Sequence, residues 1–291
     1  MIHEIVFHEG ESSKPLVVFI HGMGMDSRVW IEPERARILA GRYPLGVLLG
    51  DCDPKPATSF ADLKSRGYNL LAWSQERPVG PIETAVSELR ELVEAYGRFT
   101  GNGLIFLCHS RGGLIARKYL EFQTRSVRGL ITLATPHRGT AMARWASHIS
   151  PLTVAANRLL AGFGKREVDS TLRRILGFLG SSGLRELLPD STLLKGLKDA
   201  KLQGARYVSA GGTSPDLLRA VSLSLPDIVS TLLPEMIVPA EMREGSGDGL
   251  VSASSSVLPC ADSHMNFHVN HGSILCASAV RRYVLQWVDS M

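Results

Sequence analysis

The sequence predicts an α/β fold with a mainly parallel, doubly wound sheet, on three observations. Apolar runs rich in strand formers recur at Leu16–Ile20, Leu104–Leu107 and Val127–Leu133. Uninterrupted runs of this kind mark strands buried on both faces of a parallel sheet. Strand-like and helix-like periods alternate from residue 16 to residue 133, as successive βαβ units require. Loops after these strands carry glycines, at Gly22 and Gly24 and again at Gly112 and Gly113. Loops at the carboxyl ends of parallel strands are where such sheets bind ligands.

Taken in order, residues 2–7 alternate apolar and polar and read as an edge strand, followed by a turn over 9–14. Leu16–Ile20 is the first central strand, and a helix is expected around Val29 to Leu39. Residues 41–66 are irregular, with a short strand at Val47–Leu49 and a proline- and aspartate-rich stretch from Asp51 to Pro56. Tyr68–Trp73 reads as a strand, with Trp73 either a core aromatic or a pocket wall, and Ser74–Pro81 as a loop. Ile82, Val86, Leu89, Val93 and Tyr96 have helical spacing, and Glu83 lies in the first turn where the helix dipole favours it. A strand ends near Cys108, a helix covers Leu114 to Phe122, and Val127–Leu133 is the next strand.

Residues 141–203 break this rhythm. Ala141–Ala156, Leu172–Leu179 and Leu193–Leu197 read as helices, apolar and poor in acids, interrupted by glycines. They suggest a helical cap inserted into one domain spanning 1–291. Arg206–Ala210 resumes the sheet, 214–240 forms a second covering segment, Ser256–Pro259 is a final short strand, and Ile274–Val288 is a C-terminal amphipathic helix.

Chemistry concentrates at Cys108-His109-Ser110-Arg111-Gly112-Gly113. A strand, a tight turn with small residues on either side of a serine, and a helix would push the Ser110 hydroxyl out of the sheet. Two readings stay open for Ser110 alone: a catalytic nucleophile, or a helix-capping serine. A nucleophile needs a base and an acid to orient that base. Of the nine histidines, His271 is favoured by its place between the last strand and the last helix, ahead of His268 and His264. His21 and His109 flank central strands and are read as structural, bonding backbone groups that the turns leave unpaired. Asp248, between Gly247 and Gly249, is the preferred acid, with Asp216 second and Asp262 third. The oxyanion of the tetrahedral intermediate needs donors, expected from the backbone N–H groups of Met23 and Arg111. The Arg111 side chain is expected in solvent or in a structural salt bridge, with a substrate carboxylate as the other option.

Composition excludes several classes. The 291 residues carry 32 basic and 28 acidic side chains, a net charge of +4 too mild and too evenly spread for nucleic-acid binding. No apolar run is long enough to span a bilayer. Cys52, Cys108, Cys260 and Cys276 have no metal-ligand spacing. Cys108 and Cys276 read as buried thiols, and a Cys260–Cys276 disulfide is the lesser option. The N-terminus lacks a basic and apolar leader and is read as cytoplasmic.

The stretches His21–Gly24, Cys108–Gly113, Thr132–Thr140, Leu188–Leu194, Gly247–Val251 and Asn270–Gly272 together resemble α/β-hydrolases of the bacterial lipase/esterase type. They occur in that family's order. The Thr135-Pro136-His137-Arg138-Gly139-Thr140 stretch also resembles lipases and lipid-anchor deacylases. The resemblance implies an α/β-hydrolase fold, a Ser110–His271–Asp248 triad and an oxyanion hole from Met23 and Arg111. It departs from the pattern in Cys108, where glycine or alanine is usual. Gly272 and Ser273 follow His271 where some secreted relatives place a calcium-binding aspartate, so no metal and no cofactor is expected. The expected function is hydrolysis of carboxylic esters with apolar acyl chains. The partner is a small-molecule ester or a lipid, with transient contact to a lipid surface. A thioesterase, amidase or acyltransferase would use the same triad, and a non-catalytic binding protein is the reading from a different class.

Overall fold

The computed structural model describes residues 4–38, 43–44, 56–122, 126–143, 181–216 and 238–291. Their strands are β1 (Ile5–His8), β2 (Leu16–Ile20), β3 (Arg37–Ile38), β4 (Tyr43–Pro44), β5 (Asn69–Trp73), β6 (Leu104–His109), β7 (Val127–Leu133), β8 (Arg206–Gly212) and β9 (Ser263–Phe267). A seven-stranded sheet runs β1-β5-β2-β6-β7-β8-β9, and β3 and β4 form a separate pair. Only the β1–β5 pairing in the large sheet is antiparallel. This is the expected α/β architecture.

The sheet separates two apolar layers because strand side chains alternate. Val17 and Phe19 of β2, with Ile105, Leu107, Ile131 and Leu133, pack toward Phe60, Leu63, Val280 and Val284. Those residues lie on helices Ser59–Ser65 and Ser278–Asp289. Leu16, Val18 and Ile20, with Leu104, Phe106 and Leu130, face the other way. They meet helices Ile82–Ala95 and Gly112–Leu120 through Leu89, Val93, Leu114 and Tyr119. Burying one such side chain contributes about 1.5–3 kcal/mol, so the apolar stripes rather than intrinsic propensity hold these helices.

Register brings the strand ends level. Ile20 pairs with Cys108, His109 with Leu133, and Leu133 with Ala210. The loops that begin at His21, Ser110, Ala134 and Thr213 therefore open at one edge of the sheet.

Several expectations need correction. The helix expected over 29–39 is only Arg28–Ile31, because Pro33 has no N–H to continue it. The chain then turns into β3. Helix Ser59–Ser65 begins at Thr58, whose hydroxyl accepts the Phe60 N–H at 3.3 Å; its few apolar residues hid it. The last strand is Ser263–Phe267 and not Ser256–Pro259. As an edge strand it is half exposed and lacks an apolar run. The C-terminal helix starts at Ser278, after a 3₁₀ turn at Ser273–Leu275. Cys108, Cys260 and Cys276 are free thiols, so Cys260 and Cys276 form no disulfide.

The expected strand at Val47–Leu49 lies outside the described residues, as do Cys52 and His148, residues 144–180 of the expected cap and residues 217–237 of the second covering segment. Within the remainder of 141–203, short helices run Ser182–Glu186 and Thr192–Gly196. Among the described residues no helix is long and apolar enough to cross a membrane.

Helix Gly112–Leu120 approaches β2 so closely that a Cβ on Gly112 would lie 2.4 Å from the Ile20 carbonyl oxygen. Gly112→Ala should therefore cost about 1–3 kcal/mol through overpacking. Gly101→Ala, with nothing within 4 Å of its Cβ, should stay within about 0.5 kcal/mol of the parent. Urea unfolding of both variants checks the contrast.

Candidate active site

Ser110 follows β6 directly and has a φ of 53°, one of three non-glycine residues with positive φ among the described residues. A left-handed conformation at such a residue costs on the order of 1–3 kcal/mol and persists only where the surroundings over-determine it. Here they do. The Ser110 N–H donates to the Leu133 carbonyl at 2.8 Å. The Ser110 carbonyl accepts from the Gly113 N–H at 3.1 Å and the Thr135 hydroxyl at 2.7 Å. A Cβ on Gly22 would come within 3.0 Å of Ser110 Cβ, and one on Gly113 within 2.3 Å of Thr135 Oγ1. The glycines on both sides are therefore steric requirements of the turn.

His271 and Asp248 meet. His271 Nδ1 donates to Asp248 Oδ2 at 2.8 Å, with both side chains almost wholly buried. The other carboxylate oxygen accepts from the Leu250 and Val251 N–H groups at 3.0 and 2.7 Å, and the His271 N–H donates to the Asp248 carbonyl at 3.0 Å. With its proton on Nδ1, the neutral ring keeps a lone pair on Nε2. Asn270 shapes the turn: its Oδ1 accepts from the Gly272 and Ser273 N–H groups at 2.9 and 2.8 Å. Gly212 ends β8 against this loop, and a Cβ there would lie 2.7 Å from Asp248 Cβ.

The other candidates are placed elsewhere. His268 is exposed and faces Glu244 at 3.4 Å. His264 lies in β9 and bonds Ser209 at 2.8 Å and Asn266 at 2.9 Å. Asp262 holds Lys201, in the segment before β8, and the Tyr207 N–H at the start of β8. Asp216 offers its backbone carbonyl to Asn270 Nδ2 at 2.8 Å. His21 and His109 make backbone bonds, as expected. His21 Nε2 accepts the Gln75 N–H at 3.0 Å, so its Nδ1–H donates to the Gly22 carbonyl at 2.8 Å. His109 Nε2–H donates to the His271 carbonyl at 2.9 Å, and its ring packs 4.8 Å from the His271 ring, centroid to centroid. His109 thus bridges the residue before Ser110 to the backbone of His271.

Arg111 directly follows Ser110, and Met23 follows Gly22, whose Cβ would lie 3.0 Å from Ser110 Cβ. Among the described residues no hydrogen bond is made by either backbone N–H. The Arg111 side chain is not in solvent. It is fully buried and pairs with Glu186 at 3.4 Å. Burial pulls its pKa below the usual guanidinium value and lifts that of Glu186, each against the pull of the other charge. Among the described residues no group of three or more His, Cys, Asp or Glu side chains could hold a metal ion.

Residues 17–273 match the model of the alpha/beta hydrolase family. The chain belongs to that family. As an α/β-hydrolase it is 26% identical, over 283 residues, to a pimeloyl-[acyl-carrier protein] methyl ester esterase of Sodalis glossinidius, covering 89% of this chain and 90% of that protein. The propeptide form of a Bacillus licheniformis lipase superposes with a TM-score of 0.61 at 17% identity. That match covers 98% of this chain and 53% of the lipase, so the chain spans about half of that structure. A Rhodococcus esterase gives a TM-score of 0.52 at 18% identity, covering 99% of this chain and 95% of the esterase. These structures share the fold.

Two residues of the candidate site, Asn270 and Glu241, escaped the sequence reading. Asn270 had a usable signal, an Asn followed by Gly and Ser at positions suited to an Asx turn. Glu241 had none: it is buried, accepts the Ala141 N–H at 2.8 Å, and offers its carbonyl to the Gly249 N–H at 2.8 Å beside Asp248. The bridging bond of His109 spans 162 residues and is likewise invisible locally.

Desolvation favours the neutral form of His21, His109 and His137. It lowers His21 from 6.5 to about 4 and puts His109 and His137 well below their usual value. The unfolded chain binds these protons near pH 6.5 and the native state does not, so stability falls as pH drops through that value. For His21 the loss is complete below its native pKa and amounts to about 3 kcal/mol. The urea midpoint should therefore decline between pH 6.5 and 5, above the range where ordinary carboxylates titrate; a flat midpoint there would contradict this.

Proposed function

We propose that this α/β-hydrolase cleaves carboxylic esters through an acyl-enzyme, with Ser110 as nucleophile, His271 as base and Asp248 as the acid that orients it. The observation that carries the reading is the buried His271–Asp248 bond of 2.8 Å, tied through His109 to the turn that holds Ser110 at φ 53°. The strained turn, the bare Nε2 and the carboxylate with three donors are what nucleophilic catalysis by serine requires.

In the proposed reaction His271 Nε2 takes the Ser110 proton as Oγ attacks the acyl carbon. The carbonyl π pair moves onto oxygen, and the Met23 and Arg111 N–H groups stabilise that oxyanion. The pair returns, the C–O bond to the alcohol breaks, and the imidazolium gives the alcohol its proton. Water then attacks the acyl-enzyme with His271 again as base, releasing the acid and restoring Ser110. Asp248 stabilises the imidazolium in each half-reaction. The apolar sequence of 141–203 and 214–240 supports a cap over an apolar acyl chain, and methyl esters belong in the substrate panel because one relative is named a methyl ester esterase.

A fluorophosphonate probe should label the protein, and labelling should vanish in Ser110→Ala; persistence there rules out the nucleophile. On p-nitrophenyl esters, His271→Ala should abolish turnover. Asp248→Asn should lower kcat by about 10³–10⁴, the scale expected when the orienting acid is lost. Asp262→Asn should keep the parental kcat. Esters from acetate to palmitate, beside thioesters and amides, define the acyl preference and leaving group.

A further inference from the structure

Arg111 stands with Trp30 and Trp73 among the largest fully buried side chains. Its burial is poorly compensated. Nε has no partner among the described residues, and the only carboxylate on it, Glu186, is 3.4 Å away. It also sits at the N-cap of helix Gly112–Leu120, where the helix dipole disfavours a cation. A buried, loosely paired charge is weak evidence for stability, since an apolar side chain of similar volume often serves a fold better.

What the guanidinium does is connect. Nη1 donates to the Pro78 carbonyl at 3.4 Å, and Nη2 donates to the Gly80 carbonyl. The Pro78 carbonyl also accepts the Gly24 N–H at 2.9 Å. Gly24 has a φ of 68° and directly follows Met23. One carbonyl thus ties the segment after Ser110 to the glycine loop after β2, the segments that carry the two proposed oxyanion donors. Segment 78–82 is itself pinned from the far side. Glu186 accepts the Ile82 N–H at 3.1 Å, and the Gly183 N–H donates to the Val79 carbonyl at 3.1 Å.

We propose that the Arg111 side chain is a positioning group for the oxyanion hole, setting the separation of the Met23 and Arg111 N–H donors through the shared Pro78 carbonyl and the Gly80 carbonyl. This rests on the reading of Ser110 as nucleophile. It removes Arg111 as a ligand for a substrate carboxylate, because the guanidinium is spent on backbone. Donors displaced by a fraction of an ångström lose the oxyanion, which forms only in the transition state, and leave substrate binding intact.

The test uses the full chain with Arg111→Met, which keeps the stem and removes the donors, and Arg111→Lys, which keeps charge but not the fork. Both are compared with the parent and Ser110→Ala. Expected in Arg111→Met are a kcat lower by about 10–100-fold, a KM within about twofold, and weaker inhibition by an alkyl trifluoromethyl ketone, in proportion to kcat/KM. That ketone forms a tetrahedral oxyanion on serine, so its affinity reports the hole. Arg111→Lys should fall between, and it decides by the same criteria if the Met variant does not fold. Parental kcat in either variant, a change in KM alone, or a kcat loss without matching loss of ketone affinity overturns the proposal while Ser110-dependent fluorophosphonate labelling of the parent persists. Absence of that labelling overturns the underlying reading and this proposal together.

Discussion

The left-handed backbone at Ser110 is the constraint on which the rest of the structure depends. A serine at a φ of 53° is unfavourable by itself, and the chain around it is arranged to hold it there. Strand β7 supplies an acceptor for its N–H, and Thr135 and Gly113 supply donors for its carbonyl. Gly22, Gly112 and Gly113 remove the Cβ atoms that would stop three segments from converging. The parallel sheet makes this possible, because pairing of Ile20 with Cys108 sets the ends of β2 and β6 at the same height. Strain at one residue is offset by packing spread over two apolar layers.

Around this turn lies a shell of buried, neutral imidazoles. His21, His109 and His137 are desolvated enough to favour the uncharged ring; His21 and His137 bond neighbours through both nitrogens, and His109 does so through Nε2. His271 differs in having a buried carboxylate on Nδ1. The difference is one of partner and not of burial. It separates the histidine bonded to Asp248 from three that serve as neutral fillers and linkers.

Much of this was legible in the chain. The apolar runs of β2, β6 and β7 announced a parallel sheet because strands buried on both faces have no polar alternation to disguise them. Ser110, Asp248 and His271 stood out through small neighbours and loop position. Edge strand β9 escaped because its solvent-facing residues break the apolar pattern, and Ser256–Pro259 drew attention through Leu258, which is buried without being in a strand. The helix expected over 29–39 overran Pro33. For Arg111 the sequence left solvent and a structural salt bridge both open, because its acceptors, Gly80 and Glu186, lie 31 and 75 residues away.

By itself, then, the sequence determined the alternation of strands and helices, the tight turn at Ser110 and a short set of candidate acids and bases. Those properties depend on steric and hydrophobic patterns within a few residues. Only the tertiary structure decided which carboxylate His271 bonds, which histidines are neutral fillers, and that the guanidinium next to Ser110 turns inward onto the Pro78 and Gly80 carbonyls. Those outcomes rest on hydrogen bonds and desolvation between segments far apart in the chain, and no local pattern encodes them.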